Sequence, residues 1–266
     1  MNTPLIEVQD LTKQFREQAV SGSTERTLTA VSHVNFHIYE GEILGLLGTS
    51  GCGKSTIARM LCGILRPDAG KILYRQTQLQ GLSAKQYRPY RREIQMIFQN
   101  PFDSLDPGMP IEKQLLEPMR IWKLGDRKAQ MEQIKKLCEE CRIPESSLKK
   151  RPSEFSGGQL QRISIIRALL LKPRFLIADE IVSALDVTVQ NQILELLLDM
   201  KEKYHLTILF ITHDLAVMRK MTDRIMVMKE GKILETGTFE ELVRRKDDSY
   251  FQELMSANYF FDSQKN

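Results

Sequence analysis

The sequence lacks the features that would place it in a membrane or direct it to secretion. No stretch approaches about 18 uninterrupted apolar residues, and the N-terminus MNTPLIEVQD has no cationic segment followed by an apolar one. Lys and Arg exceed Asp and Glu only slightly, 38 against 34, and no run of like charge is long enough to form a binding tail. We therefore expect a cytosolic protein unless a partner holds it elsewhere; the charge alone neither demands nor excludes nucleic acid.

Cysteine is scarce, with four in 266 residues. Cys138 and Cys141 form a C-x-x-C pair, but no second pair stands at zinc-finger spacing and no strand-loop-helix pattern surrounds it. We interpret the pair as two thiols one helical turn apart rather than as a metal or redox site. Cys52 leaves two interpretations open: a thiol activated by backbone N–H groups and a helix N-terminus, or a small residue packed behind its loop.

What the sequence does have is a glycine-rich stretch, GTSGCGKST, directly after the apolar run EILGLL. Its spacing fits G-x-x-x-x-G-K-S, in which glycines without Cβ let backbone N–H groups form a cradle for phosphate at the start of a helix. We expect Lys54 to reach the β- and γ-phosphates of a nucleotide and the Ser55 hydroxyl to bind Mg²⁺. The predicted nucleotide-binding residues of this loop are Gly48, Ser50, Gly51, Cys52, Gly53, Lys54, Ser55 and Thr56.

Strands and helices alternate over much of the chain, which predicts an α/β fold with a parallel sheet covered on both faces. The early segments resemble short strands that flank a polar loop, REQAVSGSTERT. From Asn100 to about Ser153 the chain is first rich in proline and then charged and helical in pattern, and few strand signals are present. This stretch is predicted to be an inserted helical subdomain.

Four apolar strands are followed by a glycine loop or by polar residues. EILGLL leads into the loop, EIQMIF into Gln99, RFLIA into Asp179 and Glu180, and TILFIT into His213. Because ligands of open α/β sheets bind beyond the carboxyl ends of the strands, we expect these residues to converge on one crevice. We predict that Asp179 holds Mg²⁺, directly or through water, and that Glu180 polarises a water for in-line attack on the γ-phosphate. Gln99 could orient that water or complete the metal shell.

Each of these residues also has a plainer interpretation. One carboxylate of the acidic pair could cap a following helix, and Gln99 could simply end a strand. Thr212 or Asp214 could cap a helix and leave His213 merely exposed. A second glycine turn, SGGQ at 156–159, opens a predicted helix and offers backbone donors to an anion, although a glycine-softened helix start is the default interpretation when the segment is taken alone.

The order and spacing of GTSGCGKST, IFQNP, FSGGQLQR, FLIADE, SALD and ITHD resemble those of an ABC transporter ATP-binding subunit, from about Ile6 to Gly237. The resemblance implies an α/β P-loop NTPase fold, in which a parallel sheet core carries an N-terminal antiparallel β subdomain and an inserted α-helical subdomain. The implied parts of a single ABC ATPase domain, 1–266, are a core in 1–99 and 159–237, a helical subdomain with the signature motif in 100–158, and a short C-terminal tail in 238–266.

In that family two cassettes dimerise head to tail, and the SGGQ segment of one closes over the nucleotide of the other. The resemblance therefore implies that Ser156, Gly157, Gly158 and Gln159 bind ATP held by the partner. It also implies that Phe15 stacks on adenine, that Gln99 senses the membrane subunits, that Ala184 to Asp186 lie at the dimer contact, and that His213 contacts the γ-phosphate. The implied catalytic residues are Glu180, His213 and Gln99; the implied Mg²⁺ ligands are Ser55, Gln99 and Asp179, and Asp186 is counted with the nucleotide-binding residues.

Within the family the chain looks most like the peptide and nickel import branch. That likeness implies ATP and Mg²⁺ as cofactors, two integral membrane permeases, a second ATP-binding subunit that is either a sister protein or an identical chain, and an extracytoplasmic solute-binding protein. No nucleic acid is expected, and the protein would lie at the cytoplasmic face of the inner or plasma membrane. The chain ends soon after SYFQELM, which favours nickel or a metal chelate slightly over short peptides.

Two departures from the family pattern stand next to its motifs. Phe155 replaces the usual leucine before SGGQ, a mild apolar change, and Ile181 replaces the proline that commonly follows the catalytic glutamate, which restores a backbone N–H and leaves the turnover rate open. The alternative function is a soluble ABC-type ATPase acting on the ribosome or DNA. Such proteins resemble tandem cassettes or carry long coiled-coil insertions, whereas this sequence has one cassette and no sustained heptads.

Overall fold

The computed structural model describes residues 3–17, 26–245 and 249–262; of the predicted loop REQAVSGSTERT, residues 18–25 lie outside that part. The described strands are β1 (Pro4–Glu17), β2 (Arg26–Tyr39), β3 (Ile43–Leu47), β4 (Ala69–Tyr74), β5 (Thr77–Gln78), β6 (Ile94–Ile97), β7 (Phe175–Asp179), β8 (Thr207–Thr212), β9 (Arg224–Lys229) and β10 (Lys232–Gly237). The described helices are α1 (Lys54–Leu61), α2 (Ala84–Glu93), α3 (Ile111–Ile121), α4 (Arg127–Glu140), α5 (Gly157–Leu169), α6 (Val187–Tyr204), α7 (Leu215–Met221), α8 (Phe239–Arg244) and α9 (Tyr250–Asp262). Short 3₁₀ turns occur at Pro101–Ser104, Glu145–Lys149 and Pro152–Glu154.

The chain forms two compact units, and the first comprises residues 1–88 and 207–266. It contains an antiparallel sheet in the order β2-β1-β4-β5. It also contains β3, which pairs in parallel with β8 on one side and β9 on the other, while β10 runs antiparallel along β9. Every residue of β3 and β8 is buried, as expected for apolar strands that are covered on both faces of a parallel sheet.

The last two helices of the first unit lie in the stretch predicted to be a short C-terminal tail. Phe251 of α9 is completely buried and belongs to a cluster with Leu47, Leu215, Met218 and Leu242. Full burial of a phenylalanine contributes about 1.5–3 kcal/mol to the free energy of folding. The apolar face of α9 therefore holds this helix to β3, the strand that leads into the glycine-rich loop. Within the described residues, every helix is too short or too polar to cross a bilayer.

The second unit comprises residues 89–206 and contains the parallel pair β6 and β7 together with helices α3 to α6. In α6, the Asp186 side chain accepts a hydrogen bond from the backbone N–H of Val189 at 3.0 Å and caps the first turn. The cap of the helix after β7 is therefore Asp186, and neither Asp179 nor Glu180 has that role. The first unit thus has an antiparallel sheet as well as parallel strands, and the second unit has a parallel pair; together with the helices they confirm the predicted mixed α/β class.

Cys138 and Cys141 lie at the end of α4 in the second unit, and both are buried. Burial raises the pKa of the Cys138 thiol to about 11 and that of the Cys141 thiol to about 12, so both are protonated near neutral pH. Among the described residues, no group of three or more His, Cys, Asp or Glu side chains is arranged to hold a metal ion. Both thiols are therefore packed side chains at the end of α4.

Candidate functional site

The glycine-rich loop in the first unit connects β3 to α1, as its sequence predicts. Gly53 has φ 112°, and Gly51 has φ 79°, both in the region that side chains with Cβ rarely adopt. A Cβ on Gly53 would also collide with the carbonyl oxygen of Ala30, and one on Gly48 would collide with that of Met228. The backbone conformation and the close packing both require glycine here. A loop of this kind can turn its backbone N–H groups toward a phosphate.

Lys54 is almost completely buried, with 4 % of its surface exposed. Its ammonium donates hydrogen bonds to the carbonyl oxygens of Gly48 at 2.8 Å and Thr49 at 3.0 Å, which hold the positive charge against the loop. Ser55 and Thr56 follow in the first turn of α1 and are half-buried. In the described chain no side chain caps this helix end, so its backbone N–H groups are arranged to meet an anion.

His213 stands at the same edge of the first unit as the loop. Because β8 runs parallel to β3 with Thr212 beside Leu47, the residues after both strands leave the sheet on one side. The Asp214 side chain caps α7 by accepting from the backbone N–H groups of Ala216 at 2.8 Å and Val217 at 3.1 Å. Asp214 is therefore the N-cap of α7. His213 precedes the cap, and its imidazole is exposed.

Phe15 lies near the end of β1 in the first unit and is 38 % exposed, which is high for an aromatic ring in a strand. The Lys13 ammonium is 5.6 Å from the centroid of this ring and donates to the Asp68 carboxylate at 2.8 Å. An exposed ring beside a held cation is a surface on which a flat base can stack.

In the second unit, Gln99 and Glu180 are in direct contact. Strand β6 runs parallel to β7 with Ile97 beside Ala178, so the residues that follow both strands leave the sheet at one edge. The Gln99 amide donates from Nε2 to Glu180 Oε2 at 3.1 Å. Asp179, the last residue of β7, is only 5 % exposed. The strand-end pattern thus predicted correctly that residues following β6 and β7 meet, and they do so through Gln99 and Glu180.

Sequence reasoning missed Ser183, which holds the backbone of Glu180. Its N–H and its hydroxyl both donate to the Glu180 carbonyl oxygen, at 3.2 and 3.0 Å, and its Oγ accepts from Gln99 Nε2 at 3.4 Å. Glu180 itself has φ 48°, an uncommon conformation for a residue with a side chain. A sequence signal for Ser183 was present, because it is the first residue of the SALD motif. The spacing of motifs does not predict which hydrogen bonds form within a turn, however.

The SGGQ segment forms the start of α5 in the second unit. Ser156 Oγ accepts from the N–H of Gln159 at 3.3 Å, and Gln159 Oε1 accepts from the N–H of Ser156 at 3.0 Å, which makes a capping box. Gly158 is buried, and a Cβ there would collide with the side chain of Val189 on α6. Ser156, Gly157 and Gln159 stay exposed at the surface, where a second molecule can reach them.

Cys52 is packed into its loop rather than presented to solvent. It is 6 % exposed, its N–H donates to the Thr49 carbonyl oxygen at 3.4 Å, and its carbonyl oxygen accepts from the N–H of Gly231 at 2.9 Å. Its sulfur would be 2.7 Å from a Cβ on Gly48, so the thiol fills the space that this glycine leaves. Of the two interpretations left open by the sequence, the structure favours the packed residue.

We expect a small maleimide to modify Cys62 at least about tenfold faster than Cys52, because Cys62 is partly exposed and the other three thiols are buried. Mass spectrometry after limited labelling of the folded protein measures the rates site by site. Labelling in urea is the control, since all four thiols then become accessible. Faster modification of Cys52 than of Cys62 in the folded protein would contradict the packed interpretation.

A comparison with protein families gives a match over residues 31–183 to the family described as ABC transporter. The chain belongs to the ABC transporter family. The matched region runs from β2 through the glycine-rich loop, Gln99 and the SGGQ segment to Ser183, so it contains most of the candidate site.

Two curated relatives extend this family assignment over nearly the whole ABC cassette. The oligopeptide transport ATP-binding protein OppF of Haemophilus influenzae is 40 % identical over 257 residues, 95 % of this chain and 77 % of that protein. OppF of Salmonella typhimurium is 42 % identical over 234 residues, 87 % of this chain and 70 % of that protein. Identity at this level over most of both chains means that the cassette fold is shared, not a single motif.

Solved ABC cassettes have the same fold. The MJ0796 cassette, in a dimeric post-hydrolysis state bound to ADP and Pi, is 26 % identical with a TM-score of 0.77, covering 88 % of this chain and 98 % of that one. The cbiO1 subunit of the cbiONQ transporter from Clostridium perfringens is 27 % identical with a TM-score of 0.76, covering 90 % of each chain. The protein is an ATP-binding subunit of an ABC transporter, and its enzymatic activity is ATP hydrolysis.

Proposed function

We propose that this ABC ATPase drives the import of short peptides through membrane permeases. The observation that carries the proposal is the likeness, at 40 and 42 % identity, to two proteins named for oligopeptide transport. The sequence-based ordering put nickel slightly ahead of peptides because of where the chain ends. We now place peptides first, because the relatives' names bear on cargo directly whereas the end of a chain does not.

We further propose a division of roles among the site residues. Lys54 and the glycine-rich loop bind the β- and γ-phosphates, and Glu180 accepts a proton from the attacking water. Gln99 fixes the Glu180 carboxylate through the 3.1 Å hydrogen bond, and His213 contacts the γ-phosphate. Nucleotide contacts are also assigned to Phe15, Ser50, Gly51, Cys52, Thr56 and Asp186 of the same chain.

The proposal includes Mg²⁺ with Ser55, Gln99 and Asp179 as its protein ligands. A hydroxyl, an amide oxygen and a carboxylate are hard oxygen donors, the kind that Mg²⁺ prefers, and few protein ligands suffice because nucleotide phosphates and waters complete the shell. When bound, Mg²⁺ neutralises charge that develops on the phosphate oxygens. The deep burial of Asp179 fits this role, because its carboxylate is shielded from bulk solvent.

The proposed assembly has two membrane permeases, a second ATP-binding subunit and an extracytoplasmic solute-binding protein, and places this subunit at the cytoplasmic face of the membrane. The exposed Ser156, Gly157 and Gln159 support a head-to-tail dimer, in which they contact the ATP of the partner. Purification of the complex distinguishes an identical partner chain from a sister chain. The proposed assembly contains no nucleic acid.

Deleting the gene is expected to remove most uptake of a toxic short peptide and to leave cellular nickel unchanged. Growth in the presence of the peptide and elemental analysis of the cells measure the two cargos in the same strains. Complementation with the parent gene should restore peptide sensitivity, and complementation with Glu180→Gln should not. Lowered nickel with unchanged peptide sensitivity would reverse the order of the two cargos.

A further inference from the structure

A groove of about 400 Å³ in the second unit is lined by six residues, none of which has a role in the ATPase site. They are Pro110, Glu112, Lys113, Arg120, Arg127 and Lys149, four cations and one carboxylate. We refer to these six residues as the basic groove. Its formal charge is positive by three, whereas the whole chain is positive by only four.

Most of the positive charge in the basic groove is not neutralised by residues that the structure describes. Arg127 pairs with Glu112 at 2.6 Å, which uses the one carboxylate present. Lys113, Arg120 and Lys149 have no ion pair and no side-chain hydrogen bond among the described residues. Elsewhere in this unit, by contrast, Lys135 pairs with Glu145 at 2.6 Å and Lys203 with Glu140 at 2.9 Å.

The fold holds these cations together although they repel one another. Lys113 and Arg120 are seven residues apart on α3 and therefore lie on the same face. Arg127 is the first residue of α4, and Lys149 ends a 3₁₀ turn. That turn is tied to α3, because the N–H of Ile111 donates to the carbonyl oxygen of Lys150 at 3.0 Å. A cleft lined by charges of one sign concentrates the opposite charge.

We propose that the basic groove binds a phosphate-bearing anion, at a place separate from the nucleotide. Guanidinium groups match the geometry of phosphate oxygens with paired donors, and the two lysines add point charges to the lining of the groove. The ligand is either free phosphate or the phosphate of an anionic lipid headgroup; both present the same chemistry to these side chains. The proposal does not depend on which cargo the transporter carries.

The single tryptophan, Trp122, provides a native reporter, because it is the C-cap of α3, two residues beyond Arg120. Its fluorescence is followed at constant ionic strength, with the ATP site saturated by a non-hydrolysable analogue so that the glycine-rich loop does not respond. One arm adds sodium phosphate, and the other adds vesicles of phosphatidylglycerol or of phosphatidylcholine. The test variant is Lys113→Gln with Arg120→Gln; the control, Lys128→Gln with Lys172→Gln, removes the same charge from exposed positions of the same unit outside the groove.

We expect a saturable response in the parent and in the control that is at least about tenfold weaker in the test variant. A response to phosphate identifies a free-anion site, and one to phosphatidylglycerol but not phosphatidylcholine identifies a lipid headgroup. The proposal is overturned by no response in either arm, by equal responses in the two double variants, or by an equal response to sodium glutamate, which would indicate general screening. An unchanged ATPase rate in the test variant, measured in parallel, separates this site from the catalytic one.

Discussion

Glu180→Gln is expected to lower the rate of ATP hydrolysis by about 10²–10⁴-fold and to leave ATP binding almost unchanged, because a positioned general base contributes an effect of that size. Glutamine has nearly the volume of glutamate, and its carbonyl oxygen still accepts the hydrogen bond that Gln99 donates at 3.1 Å. The Ser183 N–H and hydroxyl both donate to the backbone carbonyl oxygen of residue 180, so these hydrogen bonds do not depend on the side chain at position 180. The substitution therefore removes basicity and charge but keeps the local geometry.

Phosphate release under single-turnover conditions measures the hydrolysis step, and equilibrium binding of a fluorescent ATP analogue measures affinity. Lys54→Ala is the matched comparison. It removes an ammonium that the loop carbonyl groups of Gly48 and Thr49 hold in place, so both affinity and hydrolysis are expected to fall. Hydrolysis at the parental rate by the Glu180→Gln complex would show that another group accepts the proton.

Gly53→Ala is expected to destabilise the protein by about 3 kcal/mol or more and to abolish nucleotide binding. The φ of 112° is itself strained for alanine, and the added methyl group would collide with the backbone carbonyl of Ala30 on β2. A backbone atom in a strand cannot turn aside as a flexible side chain can. The loop, the start of α1 and β2 would therefore all have to shift.

The matched control is Gly41→Ala, at a turn between β2 and β3 that lies outside the loop. Gly41 also has a positive φ, 80° against 112° at Gly53, but a Cβ there would meet nothing within 4 Å. Strain alone should then cost about 1–2 kcal/mol, and nucleotide binding should persist. Urea midpoints with unchanged slopes compare the two variants. Equal losses of stability in both would show that the contact with Ala30 is relieved at little cost.

The basis of the candidate site could be predicted from sequence wherever its chemistry is local. The spacing from Gly48 to Ser55 specifies a strand, a cradle and a helix start within a few residues, and the structure has all three. Gln99 and Glu180 are 81 residues apart, yet their contact was predictable, because parallel strands deliver their following residues to one edge of a sheet. The fold class followed from the alternation of strands and helices for the same reason.

Choices among nearby candidates were decided only by the tertiary structure. Any of several polar residues could have capped the helices after β7 and β8, and the backbone path selects Asp186 and Asp214. The sequence left Cys52 open between a reactive and a packed thiol, and the approach of the loop to Gly231 buries it. Ser183 reaches the Glu180 carbonyl only because of the turn between them.

Sequence by itself thus determined the family, the fold class and the phosphate-binding loop, because these are encoded in residue spacing along one or two adjacent elements. Tertiary structure alone decided which side chains are buried, which cap a helix, and which charges are neighbours. The basic groove is the clearest case: Lys113 and Lys149 are far apart in the chain, and their elements pack together, with a hydrogen bond from Ile111 to Lys150 between them. Contacts of this kind depend on how elements pack, and no local period of the sequence records that.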